Sequence, residues 1–183
     1  MGSERRSGGD RDAFRAFATR VSPALLRSAY LLTGDRGQAE DLLQVALWRV
    51  ARHWTAIEGS PDAYAYRVLI NLSRDRRRML NRRAREIIGA GLPAARVDDV
   101  ADAVTQRDWM ARAVRQLPRR QREVVVLRFF LDLSVEQTAG ALGATEGTVK
   151  SHTARALSQL RGLLTEQQEI ADVPIGEVRH GDR

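Results

Sequence analysis

Apolar residues recur at helical spacing through most of this 183-residue chain, and this pattern restricts the fold class more than any other feature. They return every three or four positions, so that residues 12–34, 35–54 and 61–86 each carry one apolar stripe, as amphipathic helices do. The second half of the chain contains further helical segments and no strand pattern of sufficient length. The sequence therefore predicts an all-α protein.

A break in the helical pattern divides the chain in two. The segment "IIGAGLPAARVDDVAD" contains two glycines, a proline and three aspartates with weak periodicity, which is typical of a linker. The two ends are polar or mixed in charge. The sequence predicts two small helical domains with the following boundaries: a disordered N-terminus at 1–11, a first domain at 12–84, a linker at 85–96, a second domain at 97–166 and a flexible tail at 167–183.

The charge of the chain points to an anionic partner. The formal net charge is +7, the pI is near 11, and Lys150 is the only lysine among the basic residues. Arginine presents a planar fork that suits phosphates and guanine edges, so nucleic acid is the leading partner class. A GC-rich genome explains the high ratio of arginine to lysine equally well.

Several other function classes are disfavoured. The chain has no cysteine, which excludes disulfides and thiolate metal sites, and we expect no metal or cofactor. His53, His152 and His180 stand alone, and the sequence contains no HExxH motif and no P-loop, so an enzyme has little support. No run of 18 apolar residues and no leader peptide is present, which favours a soluble cytoplasmic protein without membrane insertion.

The segment "LSVEQTAGALGATEGTVKSHTARALSQLR" has the parts of a helix-turn-helix in order. Ser134 is a cap for the first helix, Gly143 supplies the turn and Thr145 caps the second helix. The small residues Ala139 and Gly140 are expected to let the two helices cross closely. An ordinary helical hairpin is the alternative, since that motif needs no DNA.

The second helix of this motif has two different faces. Val149, Ala156, Leu157 and Leu160 form its apolar stripe, and the opposite face carries small residues and cations. Such a face fits a DNA major groove, which favours DNA binding over the plain hairpin. The predicted contacts are Lys150 and Arg155 with phosphates or base edges, and Thr148 and Ser151 with the DNA backbone.

A second cationic surface is predicted on the third helix. Arg67, Asn71, Arg74 and Arg78 recur on its outer face at i, i+4, i+7 and i+11. Residues 61–86 contain eight arginines and three acids, which weighs against a merely solvated helix face.

These motifs together resemble the bacterial sigma-70 family of transcription initiation factors. "SVEQTAGALGATEGTVKSHTARALSQLR" resembles promoter-binding domain 4, whereas "GQAEDLLQVALWRVARHW" and "DAYAYRVLINLSRDRRR" are similar to domain 2. A chain with only these two domains resembles the extracytoplasmic-function (ECF) group, and "AYLLTGDRGQAEDLLQ" resembles a subgroup abundant in GC-rich bacteria. The resemblance covers residues 12–164.

The resemblance implies a partner for each surface. The clamp helices of core RNA polymerase would contact domain 2. The polymerase flap would contact the segment "LPRRQREVVVLRFF". In that segment Val124, Val125, Leu127 and Phe129 are expected to be core residues first, and Trp48, Trp54 and Trp109 are likewise assigned to packing. An anti-sigma factor is implied as a further partner. The implied polymerase contacts are Glu40, Asp41 and Gln44; the implied −10 contacts are Arg67, Asn71, Arg74, Arg77 and Arg78; the implied −35 contacts are Thr145, Thr148, Lys150, Ser151, His152 and Arg155.

Two functions are consistent with these sequence features. A sigma factor binds core polymerase and directs initiation by recognising the −10 and −35 elements of a promoter, which accounts for both halves of the chain. A stand-alone helix-turn-helix regulator is the alternative, and it leaves the arginine stripe unexplained. At His152 many family members carry arginine, and a neutral imidazole would contact phosphate more weakly.

Overall fold

The protein is described from a computed structural model that covers residues 3–89 and 106–171. Within these ranges the chain is helical and contains no strand, in agreement with the predicted all-α class. A 3-10 turn at Trp54–Ala56 follows the second helix, and a π-helical turn at Val126–Phe130 follows the fifth. The helices are α1 (Ser3–Thr33), α2 (Arg36–Arg52), α3 (Pro61–Gly89), α4 (Gln106–Gln116), α5 (Arg119–Val125), α6 (Val135–Leu142) and α7 (Glu146–Ala171).

Local capping residues set the connection between α1 and α2. Gly34 has a φ of 81°, a left-handed conformation that favours glycine, and its N–H donates to the carbonyl of Tyr30. The next residue, Asp35, is the N-cap of α2, where its carboxylate accepts from the N–H of Gln38 at 2.7 Å. The chain therefore reverses within two residues, and α1 and α2 pack as a helical hairpin.

The first domain is a three-helix unit built on one apolar core. Leu25 of α1, Val50 of α2 and Leu69 of α3 are completely buried in that core. Arg20 of α1 ties the start of α3 to this unit, because its guanidinium donates to both carboxylate oxygens of Asp62, at 2.9 and 2.8 Å.

The second domain contains α4 to α7 around its own core. Val114 of α4, Leu127 of the π-helical turn and Val149 of α7 are each 0% exposed. The packing between α5 and α7 and between α6 and α7 holds the helix-turn-helix on this core. The core of the second domain therefore covers one side of α7 and leaves the opposite side uncovered.

The two domains pack directly against each other. Leu31 of α1 and Ile70 of α3 are buried in the core cluster of the second domain. Two arginines of the second domain also reach the end of α1: Arg115 donates to the carbonyl of Gly34 at 3.1 Å, and Arg122 donates to that of Leu32 at 3.5 Å. In this arrangement the first and second domains share an interface that contains both apolar and polar contacts.

Some predicted boundaries differ from the structure. Helix α1 begins at Ser3, which is before the predicted start of the first domain at residue 12; extending a helix that already exists costs little free energy per residue. Helix α3 continues to Gly89, which is beyond the predicted end of the first domain at residue 84. Helix α7 likewise continues to Ala171. The predicted linker after Gly89, the start of the second domain at 97–105 and the tail after Ala171 lie outside the described residues.

Three packing predictions are also corrected. Trp48 is 56% exposed and Phe129 is 51% exposed, so neither is a core residue, whereas Trp54 packs against the rings of Phe14 and Phe17. Gly140 does not serve a close helix crossing, because a Cβ added there would meet no atom within 4 Å. In each case the type or position of the residue suggested packing, and the arrangement of neighbouring helices leaves it uncovered.

Candidate nucleic-acid interface

The helix-turn-helix is formed by α6, a short turn and α7, and each boundary has the predicted cap. Ser134 and Gln137 make a capping box, with the Ser134 hydroxyl accepting from the N–H of Gln137 and the Gln137 side chain accepting from the N–H of Ser134. Gly143 ends α6 with a φ of 62°. Thr145 begins α7, since its hydroxyl accepts from the N–H of Thr148 at 3.2 Å.

Helix α7 presents an uncovered face on the side opposite its core stripe. Val149 and Ala156 are completely buried and Leu160 nearly so, while Leu157 is half-buried. The predicted outer face is exposed along its whole length. Its exposed residues are Thr145, Gly147, Thr148, Lys150, Ser151, Ala154, Arg155 and Ser158.

Lys150 and His152, two of the predicted contacts on α7, lie in different surroundings. Lys150 forms an exposed ion pair with Glu146 at 3.4 Å, one turn earlier, and such pairs are weak enough to exchange for a phosphate. His152 is half-buried and lines a small cavity of about 150 Å³ with Arg120 and Val124. Its Nδ1 atom is buried and has no hydrogen-bond partner. The imidazole therefore lies at the edge of the outer face, and its contact with DNA stays a prediction.

The arginine stripe of α3 is divided between solvent and the domain interface. Arg67, Asn71, Arg77 and Arg78 are exposed, as the sequence predicts for an outer face. Arg74 is not, because only 11% of its side chain is exposed. The prediction of an outward Arg74 is therefore wrong for this arrangement of the domains.

Arg74 is held by a buried carboxylate of the second domain. Its Nη2 and Nε atoms donate to Glu123 Oε2 and Oε1 at 2.7 and 3.1 Å, which is a bidentate pair. Glu123 is 1% exposed and also binds Arg119 at 3.0 Å and Arg120 at 3.3 Å. A third contact runs from Arg74 to the carbonyl of Leu142 at 3.5 Å. Because three arginines surround one carboxylate, this cluster keeps excess positive charge.

The acidic residues predicted to meet polymerase lie on α2. Asp41 and Gln44 are exposed. Glu40 is half-buried and accepts from Arg36 Nε at 3.0 Å. Asp41 lies 3.9 Å from Arg76 of α3, which is a loose contact that leaves most of the carboxylate in solvent.

An apolar patch continues this surface towards the end of α2. Val45 and Trp48 are exposed, and they follow Asp41 at i+4 and i+7, on the same side of the helix. The Arg52 guanidinium lies 4.8 Å from the Trp48 ring centroid in a cation–π contact. The face therefore joins an acidic end to an uncovered aromatic, and aromatic side chains are enriched in protein interfaces.

Sequence reasoning missed both Trp48 and Glu123 as surface and interface residues. A tryptophan on a helical stripe is usually packed, and a glutamate between arginines in the sequence is usually solvated. The predictions for both residues followed the usual behaviour of their residue types. The exposure of Trp48 and the burial of Glu123 depend on tertiary contacts.

The described residues contain no group of three or more His, Asp or Glu side chains that could hold a metal ion. In the same part of the chain, no helix combines the length and apolar character needed to cross a bilayer.

Comparison with known proteins identifies both halves of the chain. The family models described as Sigma-70 region 2 and Sigma-70 region 4 match residues 17–83 and 107–160. The RNA polymerase sigma-E factor of Streptomyces avermitilis is 41% identical over 172 residues, covering 93% of each chain. The ECF RNA polymerase sigma factor SigL of Mycobacterium tuberculosis is 34% identical over 159 residues, covering 83% of this chain and 89% of SigL.

A solved structure has the same fold. The sigma factor RpoE of Bartonella quintana, crystallised in complex with the anti-sigma factor NepR, superposes with a TM-score of 0.71 at 26% identity. The match covers 84% of this chain and 97% of RpoE. Since related sequences span both domains and the helices are arranged as in a solved member, the chain belongs to the sigma-70 family of RNA polymerase sigma factors, in its extracytoplasmic-function group.

Proposed function

We infer that this protein is a sigma factor that binds core RNA polymerase and directs promoter-specific transcription initiation. One observation carries the inference: relatives that are themselves named RNA polymerase sigma factors match both domains in the same order. The protein acts by binding and positioning, and we propose no reaction catalysed by its own residues. Its site of action would be the cytoplasm, where polymerase and chromosome are located.

The −35 element is proposed to bind the outer face of α7. This face is convex, exposed and bears the two cations Lys150 and Arg155 among small residues, so a major groove can approach it closely. Thr145, Thr148 and Ser151 supply hydroxyls for phosphate contacts near the start of the helix. His152 is proposed as a weaker, peripheral contact because its ring is half-buried.

The −10 element is proposed to bind α3. The Asn71 amide is exposed next to Arg67 and Arg78, so it can meet an unstacked base while the arginines hold the strand. Arg77 is exposed as well. Arg74 is proposed to join them only after its pair with Glu123 has opened, which requires the domains to separate.

Polymerase is proposed to dock on two surfaces. On α2, Asp41, Gln44 and Glu40 would face the clamp helices, and the uncovered Trp48 adds apolar area to the same face. In the second domain an apolar groove of about 330 Å³ is the proposed flap contact, and exposed Phe129 lies on its rim. The remaining residues of that groove include Trp109, Met110, Phe130 and Leu164.

An anti-sigma factor is proposed as a further partner, by similarity to the complex of RpoE with NepR. No observation on this chain favours a stand-alone regulator, but the two functions differ in one measurable property. A sigma factor needs affinity for core polymerase, whereas a regulator of the helix-turn-helix type does not.

The proposed function is tested with Asp41→Arg. The variant replaces a carboxylate with a guanidinium at the proposed polymerase contact, which reverses the charge there. It leaves the buried Leu42 unchanged, so the fold should persist. Fluorescence anisotropy with core polymerase should show a sharp loss of affinity, and Asp12→Arg, an exposed reversal on α1, should bind normally. Thermal unfolding checks that both variants fold.

Two results would contradict the proposal. If the wild-type protein has no affinity for core polymerase, the stand-alone regulator is favoured. If folded Asp41→Arg binds as tightly as wild type, the α2 docking site is misplaced.

A further inference from the structure

A cleft between the two domains has the chemistry of an anion site. We call it the interdomain cleft; it lies between α3 of the first domain and α5 of the second and has a volume of about 330 Å³. This volume is at the small end of the range of about 300–1,000 Å³ for ligand sites. Its charged lining residues are Arg74, Arg76, Arg77, Arg119, Arg122 and Glu123.

The charges in the interdomain cleft do not balance. Five guanidinium groups face one carboxylate, Glu123, which already binds Arg74 and Arg119. Arg76 donates to Gln38 at 3.1 Å and lies 3.9 Å from Asp41. The lining therefore keeps positive charge in a concave space, where the field of like charges adds up.

Arg122 binds backbone carbonyls, whereas the neighbouring Arg74 and Arg119 bind Glu123 directly. Within the part of the chain described, its guanidinium meets backbone carbonyls, those of Leu32, Arg115 and Leu117, and no carboxylate within 4 Å. Its Nε atom is buried and lacks an acceptor. Burial lowers the pKa of Arg122, the like charges of Arg77 and Arg115 lower it further, and the nearby Glu123 carboxylate offsets only part of this. A bound anion in the cleft would relieve this repulsion.

Phosphate groups suit this arginine-lined surface. A planar guanidinium donates two parallel hydrogen bonds to phosphate oxygens, and arginines from two helices can engage successive phosphates. Because the cleft has walls on both domains, it admits a few phosphate groups and excludes a duplex. We propose that the interdomain cleft binds a free oligophosphate, whose phosphates engage Arg77 of the first domain and Arg122 of the second and so hold the domains together.

This ligand would act on the proposed promoter contacts. Binding needs residues of both domains side by side, so by linkage it stabilises the packed arrangement in which Arg74 is bound to Glu123. Arg77 cannot hold the ligand and a −10 phosphate at once. The bound oligophosphate would therefore oppose promoter binding through α3.

Isothermal titration of the full chain with tripolyphosphate, at constant ionic strength, tests the proposal. We expect one saturable site that sulfate does not fill. Arg77→Ala, an exposed position that does not endanger the fold, and Arg122→Ala should each weaken binding by at least about tenfold, because each removes charge-assisted hydrogen bonds. Arg49→Ala is the matched control: Arg49 is exposed and lies eleven residues beyond Gln38 on α2, about 16 Å along the helix.

The possible outcomes separate clearly. The proposal is overturned if the binding of tripolyphosphate does not saturate. It is also overturned if Arg77→Ala and Arg49→Ala lose affinity equally, since the positive charge would then attract phosphate without a defined site. A single-stranded decanucleotide distinguishes the two sources of phosphate. If Arg122→Ala weakens its binding as much as that of tripolyphosphate, the cleft is a path for nucleic acid and the free-ligand proposal is overturned; an unchanged affinity for the oligonucleotide supports it.

Discussion

The outer face of α7 and the arginine stripe of α3 are both predicted to contact DNA, yet they differ in availability. Every residue of the α7 face is exposed. On this face Lys150 forms an ion pair with Glu146, which is itself exposed. On α3 the stripe is interrupted, because Arg74 is buried in a bidentate pair with Glu123. Surfaces with the same cationic pattern therefore differ in exposure according to what packs beside them.

The difference follows from the position of Arg74 on its helix. Tyr66, Ile70 and Arg74 follow each other at four-residue spacing and so share one face of α3. Ile70 is buried in the second domain's core cluster and Tyr66 packs against it. Arg74 therefore points to the second domain, whereas Asn71, one residue after Ile70, lies on the exposed side.

The largest expected effect comes from breaking the buried pair. Glu123→Ala leaves the Arg74 guanidinium buried without its carboxylate, which we expect to lower the free energy of unfolding by about 3–5 kcal/mol. Urea unfolding followed by circular dichroism measures this. Glu136→Ala, an exposed acid on α6, is the control and should change stability by less than about 0.5 kcal/mol. Equal stability of the two variants would show that the buried pair of Arg74 and Glu123 contributes nothing to stability.

The next effect tests the open surface. Arg155→Ala should weaken binding to a promoter duplex by about 1–3 kcal/mol if Arg155 contacts a base edge, with no change in unfolding temperature. If it contacts a phosphate, the salt slope should fall by about one and the loss should not depend on sequence. Anisotropy titrations at several salt concentrations measure both quantities. Arg161→Ala, an exposed arginine farther along α7, is the control, and equal binding by both variants would remove Arg155 from the interface.

A smaller effect concerns the exposed part of the α3 stripe. Asn71→Ala removes a neutral hydrogen-bonding group, so we expect a loss of about 1 kcal/mol confined to the open complex. Permanganate reactivity of promoter thymines reports strand opening, and a gel shift reports the closed complex. Normal reactivity in the variant would exclude Asn71 from base readout.

The smallest effect comes from an exposed ion pair at the start of α3. The hydrogen bond from Arg20 lowers the pKa of Asp62 below its ordinary value of 3.8. The pair therefore stabilises the fold above that pH, and its contribution is lost as the pH falls through the lowered pKa of the folded state. Asp62→Asn should be slightly less stable than wild type at pH 7, and the difference should vanish in acid. A difference that does not shrink as the pH falls would assign the effect to packing.

Features determined by neighbouring residues were predictable from the sequence. Gly34 and Gly143 adopt the left-handed conformation expected at helix ends, and Ser134 and Thr145 cap the helices that they precede. Such signals act over three or four residues, so they can be recognised in the sequence without knowledge of the fold. The same holds for the helix-turn-helix and for the exposed face of α7, because a stripe with one core side leaves the other side free.

Features that join distant parts of the chain depended on the tertiary structure. Glu123 and Arg74 are 49 residues apart, and neither the burial of the carboxylate nor its choice of partner follows from helical spacing. The exposure of Trp48 and Phe129 and the cationic interdomain cleft have the same origin. Helical periodicity says which residues share a face, whereas only the packing of that face against another helix decides whether its side chains meet a core, an ion partner or solvent.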